Sequence, residues 1–168
     1  MLKRIRGHGA IKNVRLIVYD FDGVMTDNKV IIREDGLESV VVNRSDGLAV
    51  GMIKDMGIPQ VIISTEKNRV VETRARKLNI DVYYGIDDKA VLLKEYCGNN
   101  GIPLEEVVYL GNDINDEACM RIVGHPVCPS DASREIKEVA EIVLTAAGGC
   151  GVVRELLYYL DDTSNDKN

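Results

Sequence analysis

Asp20 and Asp22 lie two residues apart at the end of an apolar stretch covering residues 14–20, a spacing that lets both carboxylates face one side. Two carboxylates so close are costly without a cation, and they are natural ligands for the hard ion Mg2+. The same Asp-x-Asp pair also fits a solvated turn in which one Asp caps a helix. Three further clusters carry groups able to hold an anion or a metal: Ser64-Thr65, Asp88-Lys89 and Gly111-Asn112-Asp113. Each alone has a plainer reading. Ser64 suits a cap on the helix that follows, and Lys89 suits a surface pairing with Asp87 and Asp88.

The surrounding elements are what group these clusters. Apolar stretches at residues 14–20, 58–64 and 107–110, with shorter ones at 81–84, 126–128 and 142–144, predict strands. Helices are predicted over 47–56, 68–78 and 87–97, near 115–123, from a Ser130 or Asp131 cap through 139, and over 152–160. Apolar strands alternating with helices predict an α/β fold, a Rossmann-like parallel sheet with helices on both faces. β-branched stretches at 29–32 and 38–43 around Glu34-Asp35-Gly36 predict a small β-hairpin flap. In such sheets ligands bind beyond the carboxyl ends of the strands, so all four clusters are expected around one crevice.

Composition narrows the function. The 168 residues suit one domain, expected over 1–168 with a polar, frayed tail at about 161–168. A net charge of −6 argues against a nucleic-acid partner, which would call for a basic excess. No stretch approaches the roughly 20 apolar residues that a membrane span needs, and no signal peptide is legible, so no membrane partner is expected. Cys97, Cys119, Cys128 and Cys150 show neither CxxC pairing nor zinc-ligand spacing, which suits free thiols in a reducing cytoplasm. His8 and His125 enter no catalytic dyad and read as surface or structural residues.

The string Asp20-Phe21-Asp22-Gly23-Val24-Met25-Thr26-Asp27 resembles the first motif, DxDGxxTD, of the haloacid dehalogenase-like phosphatases. Ser64, Lys89 and Gly111-Asn112-Asp113-Ile114-Asn115-Asp116 resemble its second, third and fourth motifs in the same order, so the resemblance runs from about residue 14 to 155. It implies a phosphoric monoester hydrolase in which Asp20 attacks phosphorus to give an aspartyl-phosphate. Asp22 would protonate the leaving oxygen and later activate water, with its backbone carbonyl on the metal. Ser64 and Lys89 would hold the phosphoryl oxygens. The implied cofactor is Mg2+, with Asp20, Asp22, Asn112 and Asp113 as ligands. Asn112 departs from the family's usual Asp, which puts metal affinity in question; Asp113 or Asp116 would compensate, and a role orienting Lys89 is the alternative for Asp116. Asn115 reads as a loop-backbone contact.

The spacing between the first two motifs leaves room for the hairpin and one helix, and no separate cap domain. That resembles the capless subgroup acting on phosphorylated 2-keto-3-deoxy sugar acids, typically homotetramers whose neighbouring subunits complete each active site. The hairpin also suits an ordinary edge excursion shielded by charges. The octulosonate 8-phosphate phosphatases usually read Thr-Gly-Arg after the second strand. Here Ser64-Thr65-Glu66-Lys67 is followed by Arg74 and Lys77, which resembles the phosphatases of nonulosonate (sialic-acid-type) 9-phosphates. Arg74 and Lys77 share one helix face, where a solvated basic face with Arg69 and Arg76 is the alternative.

Asp46 and Arg154 complete the expected substrate-binding set with Glu66, Arg74 and Lys77. Asp46 also suits a helix cap, and Arg154 a pairing with Glu155 or a neighbour. Gly148-Gly149-Cys150-Gly151 resembles the subgroup's C-terminal segment, which reaches a neighbouring site. Two alternatives stand beside the nine-carbon substrate. One is octulosonate 8-phosphate hydrolysis, and the other is a non-catalytic oligomerisation module of the kind associated with acylneuraminate cytidylyltransferases.

Overall fold

The computed structural model describes residues 11–160. Its centre is β1 (Leu16–Tyr19), in which every side chain is fully buried. Leu16 and Val18 point into one apolar cluster, and Ile17 and Tyr19 into another on the opposite face. A strand covered on both faces reads as a continuous apolar run, and each such buried side chain contributes about 1.5–3 kcal/mol. β4 (Gln60–Ile63) and β6 (Val107–Leu110) pair with β1 on either side and follow the same rule. β5 (Asp81–Tyr83), β7 (His125–Cys128) and β8 (Ile142–Val143) complete a six-stranded parallel sheet in the order β5-β4-β1-β6-β7-β8.

Helices α1 (Arg44–Asp55), α2 (Val70–Leu78) and α6 (Val152–Leu156) cover the face bearing Ile17 and Tyr19. Helices α3 (Lys89–Asn100), α4 (Glu117–Met120) and α5 (Arg134–Val139) cover the face bearing Leu16 and Val18. The expected Rossmann-like sheet is therefore what forms, and no separate cap domain interrupts it among the described residues. The hairpin of β2 (Ile31–Ile32) and β3 (Glu38–Ser39) stands apart as a two-stranded antiparallel sheet.

Several boundaries differ from expectation, each for a local reason. Helix α1 starts three residues before the predicted position 47, because the Asn43 side chain accepts from Ser45 N at 2.8 Å and caps it. Asp46, offered as that cap, lies inside the helix. The segment predicted as one helix near 115–123 is a 3-10 turn (Ile114–Asp116) followed by the short α4, since Asp113 and Asp116 form a capping box around the turn. The terminal helix ends at Leu156 rather than 160. His125 is half-buried, with Nδ1 2.9 Å from Glu141 Oε2. His8 and the tail at 161–168 lie outside the described residues. None of the described helices is long and apolar enough to cross a membrane.

Candidate active site

Asp20 follows β1 directly, and its N–H donates to Leu110 O at 2.9 Å, the last rung of pairing with β6. This rung places an ionisable side chain, 4% exposed, at the carboxyl edge of the sheet. Lys89 comes to it from the first turn of α3. Asp88 is occupied as the N-cap of α3, accepting from Val91 N at 3.0 Å, so Lys89 turns inward instead of pairing with its neighbours. Its Nζ donates to Asp20 Oδ1 at 2.6 Å and to Asp116 Oδ1 at 2.8 Å, and the residue is 3% exposed.

Asp116 is fully buried and holds the third motif's lysine from behind. Its Oδ1 also accepts from the Tyr109 hydroxyl at 2.8 Å, and its Oδ2 accepts from Asn112 N at 3.0 Å. The loop can wrap this closely because residue 111 is glycine: a Cβ there would lie 2.5 Å from Asp116 Cβ. Gly23 serves Asn112 in the same way, with φ of +85° and the Asn112 side chain against its Cα.

The end of the Asn112 side chain lies 3.0 Å from Asp20 Oδ2 and 2.9 Å from the Asp22 carbonyl oxygen. With the amide nitrogen inward it donates to both; with the amide oxygen inward three acceptors converge with no donor among them. The second arrangement is a cation site. An octahedral Mg2+ with oxygens at about 2.0–2.1 Å places adjacent ligand oxygens about 2.8–3.0 Å apart. Asp20, the Asp22 carbonyl and Asn112 therefore fit this ion, although the described residues gather no cluster of three acidic, His or Cys side chains. Asp113, the fourth expected ligand, lines the same cavity, but its Oδ1 already accepts from Ile114 N at 2.8 Å.

Thr26, the penultimate residue of the DxDGxxTD string, orients the second carboxylate. Its hydroxyl donates to Asp22 Oδ1 at 3.2 Å while accepting from the backbone N–H groups of Gly23 and Asn28. Ser64 follows β4, and its Oγ accepts from Glu66 N at 3.1 Å in a local turn. It does not cap α2, and its own hydroxyl proton is left to donate into the cavity. That cavity holds about 190 Å3 and is lined by Asp20, Asp22, Ser64, Glu66, Asn112 and Asp113, with Asn28, Thr65 and Asn115 at its sides. Asn115 donates to Thr65 Oγ1 at 3.4 Å, not to loop backbone.

The charges here are strained against burial. Burial raises the Asp20 pKa to about 7, the nearby Asp116 charge adds to this, and Lys89 opposes it. Burial alone would lower the Lys89 pKa, but Asp20 and Asp116 outweigh it and the net shift is upward. The ammonium thus persists, and one ammonium cannot neutralise two buried carboxylates. A divalent cation beside Asp20 would offset the remainder. Asp22 is shifted up chiefly by burial, opposed by the Thr26 hydroxyl and reinforced by Glu66. Such a shift moves a carboxyl toward acid–base work near neutrality.

Four residues expected to bind substrate lie elsewhere. Asp46 is buried, and its Oδ1 accepts from Arg154 N at 3.0 Å, joining α1 to the start of α6. Arg74 donates to Asn43 O at 3.0 Å and is half-buried beside Asp46. Lys77 is exposed on α2. Arg154 contacts Met52 Sδ at 3.2 Å and lies over the Tyr158 ring. Three of the four share a reason: α1, α2 and α6 pack on one sheet face, and Asp46, Arg74 and Arg154 serve the seams between them, while Lys77 faces outward. Glu66 alone of that set reaches the cavity. Sequence reading missed Asn28 and Tyr109; Asn28 directly follows a recognised motif, whereas Tyr109 is indistinguishable from a core strand residue.

Comparison with known proteins identifies the family of the fold. The family model for haloacid dehalogenase-like hydrolases matches residues 53–156. The 3-deoxy-D-manno-octulosonate 8-phosphate phosphatase of Yersinia pestis is 33% identical over 145 residues, covering 86% of this chain and 78% of that one. The enzyme of the same name from Moraxella catarrhalis, solved with magnesium ion, phosphate ion and a KDO molecule, superposes with a TM-score of 0.85 at 30% identity, covering 88% of this chain and 85% of that one. A Streptomyces avermitilis chain described as a HAD family hydrolase gives a TM-score of 0.89 at 41% identity over 94% of this chain and 91% of its own. The match of sequence over most of the length, and of fold with it, shows that this chain belongs to the haloacid dehalogenase-like hydrolases.

Proposed function

We propose that this chain releases phosphate from a phosphorylated 2-keto-3-deoxy sugar acid, with a nonulosonate 9-phosphate as its substrate. The coarser statement, a phosphoric monoester hydrolase of the haloacid dehalogenase-like type that uses Mg2+, follows from its family and relatives. The observation that carries the chemistry is the contact of Lys89 and Asn112 with opposite oxygens of one buried carboxylate, Asp20. That carboxylate attacks phosphorus, the bond from phosphorus to the sugar oxygen breaks, and Asp22 gives its proton to the leaving oxygen. Water then attacks the aspartyl-phosphate, Asp22 takes the water's proton, and the bond from phosphorus to Asp20 breaks to free phosphate. Ser64 and Lys89 hold the phosphoryl oxygens in line. A bound Mg2+ supplies charge neutralisation at the phosphoryl group. Assembled contacts of this kind favour catalysis over a purely oligomerising role.

The cavity sets the scale of what enters. At about 190 Å3 it is smaller than the roughly 300–1,000 Å3 of most small-molecule pockets, so it suits a phosphoryl group and leaves the sugar acid at its mouth. Among the described residues no cationic side chain lines it to receive the substrate carboxylate. The hairpin exposes Val30, Ile31, Ile32, Leu37 and Val41, an apolar surface with open strand edges. Both features support a homotetramer in which a neighbouring copy completes the site. Ile32→Glu is then expected to lower the native mass toward that of a monomer.

The nine-carbon reading rests on Glu66, whose position at the cavity suits a carboxylate accepting sugar hydroxyl bonds; Arg74 and Lys77 no longer support it directly. Octulosonate 8-phosphate is the second reading, favoured by the names of relatives at 32–33% identity. The test is Mg2+-dependent phosphate release from paired nonulosonate 9-phosphate and octulosonate 8-phosphate, with Asp20→Asn as control. Preference for the nine-carbon acid supports the proposal, and preference for the eight-carbon acid overturns the specificity while leaving the mechanism. Turnover of neither by the folded, metal-loaded oligomer removes the sugar-acid reading altogether.

A further inference from the structure

The geometry points to Tyr109 as a positioning residue for the reaction, acting through Asp116 to hold Lys89 against the Asp20 carboxylate. This rests on the roles proposed above for Asp20 and Lys89. Tyr109 lies on β6 opposite Val18 of β1, two residues before the nucleophile, and its ring is fully buried in the core on the α3 side of the sheet. A buried tyrosine hydroxyl usually finds a hydrogen-bond partner. That of Tyr109 donates to Asp116 Oδ1 at 2.8 Å, the same oxygen that accepts from Lys89 Nζ at 2.8 Å.

The consequence is geometric. Asp116 Oδ2 is anchored by Asn112 N at 3.0 Å and more weakly by Asp113 N at 3.4 Å, both in the loop. Its Oδ1 has no backbone partner, so the tyrosine is the only contact from the rigid sheet that fixes this oxygen among the described residues. With that hydroxyl removed, the carboxylate is tied at one end and can turn about its Cβ–Cγ bond, drawing Lys89 with it. Lys89 meets Asp20 at 2.6 Å, and a displacement of about 1 Å at such a contact is enough to cost catalysis a large factor. Ser64, Glu66 and the cavity mouth, which share substrate capture with Lys89, stay in place. The hydroxyl therefore contributes to kcat more than to KM.

The experiment is Tyr109→Phe, which keeps the ring, measured beside the parent, Asp116→Asn and the double variant under saturating Mg2+. The expected result is a fall in kcat of about tenfold with KM within twofold. Tyr109→Phe should change kcat by less than twofold when added to Asp116→Asn, because the two act in series. A crystal structure of Tyr109→Phe should show Lys89 Nζ displaced from Asp20, a readout independent of turnover. A Tyr109→Phe variant with parental kcat and an unmoved Lys89 overturns the inference, whatever its thermal midpoint. Full additivity with Asp116→Asn overturns the route through Asp116. A parent that releases no phosphate overturns the reading on which the inference stands, and is distinguished from the other failures by that control.

Discussion

Asp20 and Asp46 are both aspartates removed from solvent, 4% and 2% exposed, and both have a basic side chain in reach. Burial raises the pKa of each. Their surroundings give them different work. Asp46 lies within a helix and turns its Oδ1 to the backbone of α6, so that oxygen is answered by fixed N–H groups with Arg74 nearby, while Oδ2 is buried without a partner. Asp20 lies at a strand end, meets the Lys89 and Asn112 side chains as well as the backbone N–H of Phe21, and opens on a cavity. A carboxylate answered by backbone is a fastening. One answered chiefly by side chains and facing a cavity remains available to a ligand and to a reacting phosphorus.

The sharpest test is one substitution made in both places. Asp20→Asn is expected to abolish phosphate release, by about 10^4-fold or more, because an amide cannot form the acyl-phosphate. Asp46→Asn keeps the oxygen that accepts from Arg154 N, so kcat and KM should stay within twofold of the parent. An inactive, folded Asp46→Asn would return Asp46 to the active site and break the contrast.

Next in size is Lys89→Met. It leaves Asp20 and Asp116 buried without their shared cation, and is expected to cost about 3–5 kcal/mol in denaturant unfolding, with activity down by about 10^2–10^3-fold. A chelator should halt turnover, and Asn112→Asp should lower the half-saturating Mg2+ concentration by about tenfold by adding a charge to the three oxygens. Turnover that is insensitive to chelation would dissolve the cation site.

The smallest effect concerns pH. The folded state raises the Asp46 pKa, so it holds this proton more tightly than the unfolded chain does. The group's contribution is therefore present at low pH and declines as pH climbs from the ordinary carboxylate range through the raised value. Asp46→Asn removes that decline, and its unfolding free energy should gain on the parent's between acidic and neutral pH. A constant difference across that range would show that the backbone of α6 fully compensates the charge.

The strand ends were the legible part of this molecule. Asp20, Ser64, Lys89 and Asn112 were readable because apolar strands covered on both faces stand out as runs, and a parallel sheet gathers whatever follows its strands. The helical polar residues were not readable in this way. Arg74 and Asp46 have the residue types of a sugar-acid site, but whether a helix turns them to a cavity or to a neighbouring helix depends on packing angles that no local pattern encodes. Thr26 was visible as a letter in a motif, and only the folded loop shows its hydroxyl on Asp22.

From sequence alone followed the α/β class, the crevice at the carboxyl edge, the order of the four motifs and the expectation of a metal beside paired carboxylates. These depend on periodicity and on short-range spacing, which the chain carries locally. Tertiary structure decided that the Asn112 side chain meets Asp20 and the Asp22 carbonyl, that Asp116 and Tyr109 stand behind Lys89, and that Asp46 fastens α6. Each of those is a contact between segments far apart in the chain or across a folded loop. Its existence depends on how two sheet faces are filled and on where glycine lets backbone close in.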